Sequence, residues 1–417
     1  MELTEKKGPS TGGVLIAHPT RQHAHHLAKA IYEVGRLQYF FTLLPDRRSL
    51  SLIPTSLDFI LPSSVFRNSL ERVPTEVVRV LLGPLYFQRF FSQSESMVMR
   101  DIGELASWAI FDWWVSKKIR TLRPALVIGY EMCCVRIFEA AKKYRIPCIL
   151  DAAACHYEWM DKKIPSRMSG VDSKVGQILR RRKKLEINLA DKIICTSSLA
   201  RSTYTAAGVS EARTLVNLPG YDSNIFRFLP RQQTSTPMRF IFVGQVEYHK
   251  GIDILIAAFQ RLVTIHLTVE LLIVGSGRLV KKFRACKNVK FLGKMSQREI
   301  FNYFRECDCL VLPSRFDSFG MVVAEALASG LPVIVSENVG AAELIDQDQN
   351  GWVIPVGNVD KLFDTMLFCV QNKAILKKMS DNCANTKRLQ DWGRYGDRAI
   401  EILNPVKLSN GSVNRKN

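Results

Sequence analysis

Short apolar runs alternate with amphipathic helical stretches along most of the chain, the pattern of a parallel α/β sheet. The first run, Val14–Ala17, stops at His18-Pro19, and a helix is predicted from His23 to Val34 with Leu27, Ala30, Ile31 and Val34 on one face. A second strand is predicted over Tyr39–Leu44, ending at Pro45-Asp46. Residues 50–123 break the rhythm with prolines, aromatics and the amphipathic segments Val77–Phe91 and Ile110–Ile119, and read as a helical insertion facing a cleft or a membrane. Alternation resumes with Ala125–Ile128, Val135–Tyr144, Cys148–Leu150, a basic helix over Ile178–Ala190, and Lys192–Thr196.

Residues 231–237 have linker composition, and a second strand–helix series follows. It comprises strands Arg239–Val243, Val269–Val274, Val289–Leu292, Cys309–Leu312, Pro332–Val335 and Trp352–Ile354, with helices Ile252–Leu262, Ser296–Phe304 and Met321–Ser329 between them. The fold class is therefore α/β, with two Rossmann-like domains facing each other across a cleft. The expected division is 1–230 for the first domain, 237–391 for the second, a terminal helix over 392–404, and a flexible tail over 405–417.

A length of 417 residues exceeds one ordinary core, which agrees with two domains. Ten cysteines occur without a Cys-x-x-Cys pair, so buried thiols in a reducing cytosol are expected. Cys307 and Cys309, at strand-alternation spacing, are expected to share one side of a strand. Neither a secretory signal nor a spanning helix is expected. The net charge of +19 points to an anionic partner: a nucleotide, an acidic membrane surface or nucleic acid.

Three segments of the second half carry chemistry. In Phe242-Val-Gly-Gln-Val-Glu-Tyr-His-Lys-Gly251 a strand enters a glycine turn and then a helix. Gly244 permits close backbone approach and Lys250 sits near a helix start, an arrangement suited to a diphosphate. The same residues also fit a plain turn with a solvated lysine. The segment Leu271-Leu-Ile-Val-Gly-Ser-Gly277 ends a buried strand at Gly275, yet lacks the third glycine of a dinucleotide fingerprint. In the third, strand Cys309–Leu312 leads through Asp317 and Gly320 into an apolar helix bearing Glu325. Amides at Phe319, Gly320 and Met321 open that helix and can donate to phosphate or sugar oxygens. A carboxylate offers paired acceptors to vicinal hydroxyls. Asp317 would otherwise be an N-cap and Glu325 an exposed helix residue, but an acid among Val322, Val323, Ala326 and Leu327 calls for a specific partner.

These residues resemble glycosyltransferase family 4, whose members share the GT-B fold. The likeness covers roughly 125–400 and, loosely, the first strand–helix unit. The family's Glu-x7-Glu signature corresponds to Asp317-x7-Glu325, followed by Ala326 and Gly330-Leu-Pro-Val-Ile334. The resemblance implies a retaining hexosyltransferase whose donor is a nucleotide-sugar and whose acceptor is a glycan or lipid-linked molecule. It implies that Glu325 binds the donor ribose, that Asp317 and the amides near Phe319–Val322 hold the sugar, and that Lys250 neutralises the departing diphosphate. Gln245 stands where the family usually has a second cation, and Asp317 where it usually has the longer Glu. Those departures leave a catalytically inactive relative, acting as a binding or partner subunit, as one alternative; a nucleotide-sugar epimerase, which could share the two-domain fold, is another.

On the acceptor side, the loop after the first strand offers Arg21 and His23, and the segment after strand Cys148–Leu150 offers Asp151 and His156. The family often has an acceptor-side histidine there, and either Asp151 or His156 could be its counterpart. His23 and His26 share a helix face without companion ligands, so no metal and no cofactor are expected. The run Arg180–Lys184, with Arg79 and Arg89, could seat the first domain on the cytoplasmic face of an anionic membrane. The same run reads equally as a solvated helix face. No helix-turn-helix, finger or aromatic–basic RNA-binding motif is evident, so specific nucleic-acid binding is not expected.

Overall fold

The computed structural model describes residues 12–20, 23–43, 73–84, 90–91, 97–163, 173–228, 237–265, 268–383 and 385–404. Arg21, Arg89, the linker up to residue 236, the tail from 405, and much of the 50–123 segment lie outside the described residues.

The first half runs β1 (Val14–Ala17), α1 (Ala24–Glu33), β2 (Leu37–Thr42), β3 (Val78–Val80), α2 (Met97–Leu122), β4 (Leu126–Tyr130), α3 (Val135–Lys143) and β5 (Cys148–Ala152). It continues through α4 (Tyr157–Asp161), α5 (Lys174–Leu189), β6 (Lys192–Cys195), α6 (Ser198–Ala206) and β7 (Thr214–Val216). The second half runs β8 (Met238–Val243), α7 (Ile252–Ile265), β9 (Val269–Val274), α8 (Val280–Phe283), β10 (Val289–Gly293), α9 (Gln297–Glu306) and β11 (Cys309–Leu312). It closes with α10 (Met321–Ala328), β12 (Val333–Ser336), β13 (Gly351–Ile354), α11 (Val359–Gln371), α12 (Lys373–Cys383) and α13 (Trp392–Leu403).

Two parallel sheets result, in the orders β3-β2-β1-β4-β5-β6-β7 and β10-β9-β8-β11-β12-β13. Strand order reverses between β1 and β4 in one sheet and between β8 and β11 in the other. In open parallel sheets the crevice for ligands lies at such a reversal, beyond the carboxyl ends of the strands. The loops that follow β1, β8 and β11 carry His23, Lys250 and Asp317, so the topology itself brings the candidate residues together.

Within the segment expected as a helical insertion, the described residues include one strand and one long helix that belong to the sheet domain. Val78–Val80 is an edge strand paired with Phe40–Thr42, and α2 is the crossover from that edge back to β4. Phe111, Val115 and Ile119 of α2 are fully buried in the sheet's core. β2 begins two residues before its expected start and ends at Thr42. Cys307 caps α9 while Cys309 opens β11, so the two do not share a strand. Nine of the ten cysteines are buried, and burial pushes the Cys148 and Cys195 thiols up to about 12, which keeps them protonated and inert.

The final helix packs back on the first domain. Tyr395, Ala399 and Leu403 of α13 join the core formed by β1, α1 and β2, and Gly396 lies so close to α1 that an added Cβ would fall 2.7 Å from the Ala30 Cβ. The domains also meet through Ser318, in the loop before α10. Its hydroxyl accepts from the Cys155 amide at 2.8 Å, and its carbonyl accepts from the Ser197 hydroxyl at 2.6 Å. Glu343 takes both the amide and the hydroxyl of Ser198 at 2.8 Å.

Candidate active site

A cavity of about 570 Å³ lies between the domains. His23, Ala153, Thr196 and Pro219 line it from the first domain, and Gly244, Lys250, Asp317, Phe319–Val322 and Glu325 from the second, with Trp392 at the crossover.

Lys250 ends a short 3-10 turn after β8, and Gly251 stops that turn in the left-handed conformation at φ 69°. A side chain at Gly251 would strike the Pro313 carbonyl, which shows how tightly the β8 loop packs on the β11 loop. That closeness sets Lys250 Nζ 2.5 Å from Asp317 Oδ2, with both side chains mostly buried. Asp317 is therefore an ion-pair partner and not an N-cap. The α10 cap is Gly320, at φ 86°, which supplies no side-chain bond. The first amides of α10 consequently have no acceptor within the helix and open on the cavity with their partial positive charge.

Glu325 is 7% exposed on the cavity side of α10. Gln297 donates to its Oε1 at 3.0 Å. Burial pushes its carboxyl up to about 7; the Gln297 bond partly offsets this and Asp222 adds to it. A carboxyl raised this far by burial in a cleft marks a candidate functional group.

Gly244 lines the cavity, whereas Gln245 is exposed and Gly275 does not reach it. Gly275 acts through packing: at φ 136° an added Cβ would lie 1.8 Å from the Gly244 carbonyl. Gly275→Ala is expected to cost about 2–4 kcal/mol from backbone strain and overpacking. It should also displace the Gly244 turn. A denaturation midpoint equal to that of the unsubstituted protein would rule this out.

On the first domain, His23 Nε2 meets both Asp151 carboxylate oxygens at 2.8 Å. Burial alone would lower the His23 pKa, but the Asp151 charge and hydrogen bond outweigh it and raise it. His156, expected on the acceptor side, lies elsewhere: it precedes α4, packs on Tyr157 and Tyr204, and does not line the cavity. Burial lowers its pKa. His26 stacks on Trp392 at 3.9 Å, so His23 and His26 serve different partners.

Among the described residues no group of three or more His, Cys, Asp or Glu side chains is arranged to hold a metal ion. The Asp-x-Asp triplet Asp346-Gln-Asp348 sits in the turn before β13, away from the cavity. Sequence reasoning missed Thr196, Pro219 and Trp392, which reach the site only through long-range packing, and Ser318, which lies in the same loop as Asp317.

Residues 227–389 match the profile of the family described as Glycosyl transferases group 1. The chain is 25% identical over 360 residues to a glycogen synthase of Mycobacterium tuberculosis, covering 79% of this chain and 77% of that one. Sucrose-phosphate synthase from Thermosynechococcus elongatus superimposes with a TM-score of 0.68 at 17% identity, over 94% of this chain and 98% of the other. HepE from Anabaena, solved in complex with UDP-glucose, gives 0.62 at 18% identity, over 94% and 99%. Joined to two parallel sheets flanking a cleft of this composition, these likenesses show the GT-B fold, and over residues 227–389 the chain is similar to the group 1 glycosyl transferases.

Proposed function

We propose that the chain transfers a hexose from a nucleotide-sugar to a glycan or lipid-linked acceptor, with retention of configuration and without a metal, as a member of family 4. The convergence of Lys250, Asp317, Glu325 and the uncapped α10 N-terminus on one cavity carries this reading. Glu325 would accept the ribose hydroxyls, and the α10 amides with Asp317 would hold the sugar. Lys250 would stabilise charge developing on the diphosphate as the glycosidic bond breaks, a preset electrostatic contribution that needs no covalent intermediate.

A thermal-shift panel of UDP, GDP, ADP and their sugars tests the donor site. Stabilisation by one base series is expected, and its loss in Glu325→Ala. If no nucleotide at millimolar concentration shifts the unsubstituted protein, the transferase reading gives way to an inactive relative, which Gln245 and Asp317 would then explain. Release of an epimerised nucleotide-sugar without acceptor would favour the epimerase.

A peripheral position on the cytoplasmic face of an anionic membrane belongs to the same proposal. Among the described residues no helix is long and apolar enough to cross a membrane. The run Arg180–Lys184 contributes less to such a surface than its composition suggests. Arg180 pairs with Asp161, Arg182 with Asp112 and Lys183 with Glu131. Support comes instead from α2, where Ile102, Ile110 and Trp113 are 39%, 42% and 47% exposed along one helix face that continues to Lys117. Flotation with anionic phospholipid vesicles is expected, weakened severalfold by Ile110→Glu with Trp113→Glu. Equal flotation with neutral vesicles, or none, would remove the membrane from the proposal.

A further inference from the structure

A second cavity, of about 630 Å³, lies at the domain junction and shares no lining residue with the cleft. The first domain contributes Ser198 and Arg201 of α6 and Asn217, just after β7. Glu343 and the stretch Lys387–Gln390 come from the second domain, and α13 forms the third wall. Tyr395, Ala399 and Leu403 bury one face of that helix in the first domain. Helical spacing turns Arg394, Asp397, Arg398 and Glu401 to the opposite face, where all four line the cavity.

Five cations and three carboxylates line it, so its charge is positive. Three of the cations are already committed: Arg201 to Glu211 at 2.7 Å, Arg388 to Glu343 at 3.0 Å, and Arg398 to Glu401 at 2.9 Å. Lys387 and Arg394 form no ion pair among the described residues, and they stand on different walls. Exposed cations are ordinarily left to water, at little gain or cost. Here two uncommitted charges converge from separate elements on one concave site. A planar guanidinium beside an ammonium suits a phosphate dianion.

The rest of the lining limits what carries that phosphate. Asp397 has no ion-pair partner among the described residues, and the buried Asn217 Oδ1 has no hydrogen-bond donor there. Both are acceptors suited to hydroxyl groups, and the carboxylate disfavours a longer polyphosphate. No aromatic side chain lines the cavity among the described residues, so none is placed to stack on a nucleobase. Cations for one dianion, with acceptors for hydroxyls, match a sugar phosphate.

We propose that this cavity binds a phosphorylated sugar, which ties the two domains together and tightens nucleotide-sugar binding in the cleft; the second half rests on the transferase reading. Lys387 belongs to the second domain, whereas Arg394 is anchored to the first by the buried face of α13. A phosphate held by both bridges the junction. It adds to contacts already made across it, those of Ser198 with Glu343 and of the Gln390 side-chain amide with the Leu218 carbonyl. The cleft lies between the same two domains. A ligand that favours their juxtaposition therefore favours a donor held by both walls, and linkage makes the effect reciprocal.

Calorimetry and thermal shifts on the full chain test this with glucose 6-phosphate and mannose 6-phosphate, beside glucose, inorganic phosphate, UDP, GDP and ADP. A hexose phosphate is expected to bind and stabilise, glucose not to, and inorganic phosphate to bind more weakly. Lys387→Ala with Arg394→Ala should weaken hexose phosphate binding about tenfold or more, the scale of lost hydrogen bonds to a charged group. Lys377→Ala with Lys378→Ala removes the same charge from exposed positions of α12 and should change nothing. Glu325→Ala, in the cleft, should leave hexose phosphate binding intact. Saturating hexose phosphate should tighten binding of the preferred nucleoside diphosphate severalfold, and the reverse by the same factor.

No hexose phosphate binding at millimolar concentration would overturn the site, as would equal weakening by the two double variants. Inorganic phosphate binding as tightly as the hexose phosphate would remove the sugar from the proposal. Binding lost in Glu325→Ala but kept without Lys387 and Arg394 would place the ligand in the cleft instead. Independent binding of the two ligands would overturn the tie between the domains. If no nucleotide binds while hexose phosphate binding still depends on Lys387 and Arg394, the transferase reading falls and this site stands. Nucleotide binding without hexose phosphate binding strikes this site alone.

Discussion

Lys250→Ala is expected to lower sugar transfer by about 10²–10³-fold, the scale of removing one preset charge or donor from a developing oxyanion. Within the cleft, Lys250 Nζ and Asp317 Oδ2 lie 2.5 Å apart and neutralise each other. A mostly buried ion pair is expensive to break on one side only, because the remaining charge keeps its desolvation cost. An incoming diphosphate supplies a second anion for the same ammonium, and the sugar hydroxyls supply donors for the carboxylate Lys250 would release. Binding therefore exchanges one partner set for another without leaving either charge bare.

The alanine variant removes the ammonium from both states and leaves Asp317 facing the incoming phosphate. Two readouts separate this from general damage. The nucleoside diphosphate should lose its binding advantage over the monophosphate, and Lys250→Arg should recover part of it. Arg315 and Asp253, a bidentate pair at 2.7 Å outside the cavity, provide the contrast. Arg315→Lys should lower stability while leaving the diphosphate preference intact. Equal affinities for diphosphate and monophosphate in the unsubstituted protein would defeat the proposed role of Lys250.

The second-domain wall of this cavity was legible because its grammar is local. β8 and β11 are apolar runs ended by Gly244 and Pro313, and Glu325 stands out as the one acid in an apolar helix. Spacing along one strand–turn–helix unit fixes where such residues emerge. The first-domain wall depends on partners far apart in sequence. His23 and Asp151 are separated by 128 positions, and Ser318 joins Cys155 across 163. No periodicity reports such pairings, so Asp151 and His156 could not be told apart from sequence, although one meets the cleft histidine and the other packs on Tyr204.

The same limit explains the charge run. Arg180, Arg182 and Lys183 look solvated only while Asp161, Asp112 and Glu131 remain invisible as partners. The bounds of β2 slipped for a different reason. Leu37–Leu44 is nearly continuously apolar, and a strand buried on both faces offers no alternation to mark its ends. Val78–Val80, three residues at a sheet edge, is too short to carry a period of its own.

Nucleotide-sugar binding is expected to tighten as pH rises through about 7, by up to about tenfold between pH 6 and pH 8. Glu325 carries this expectation. Its carboxyl is raised by burial to about 7 in the folded chain, so about one-tenth is ionised at pH 6 and about nine-tenths at pH 8. Ribose hydroxyls donate to the ionised form, which offers only acceptors, and so the ligand selects it. Selection of the ionised form releases a proton on binding. A nucleotide-sugar is suited to this measurement because its diphosphate is esterified at both ends and does not itself titrate near neutrality.

The stability of the free protein should move in the opposite direction. The folded pKa lies above the unfolded one, so the folded state binds more protons between about 4.5 and about 7. This group's contribution therefore falls as pH rises through that window, by up to about 3 kcal/mol. Calorimetric titrations in two buffers of different ionisation enthalpy would report the released proton directly, and Glu325→Gln should abolish both the buffer dependence and the pH slope. A donor affinity that stays flat from pH 6 to 8, with no proton released, would mean that Glu325 does not meet the ribose. The buried carboxyl would then owe its place to Gln297, which already donates to it at 3.0 Å.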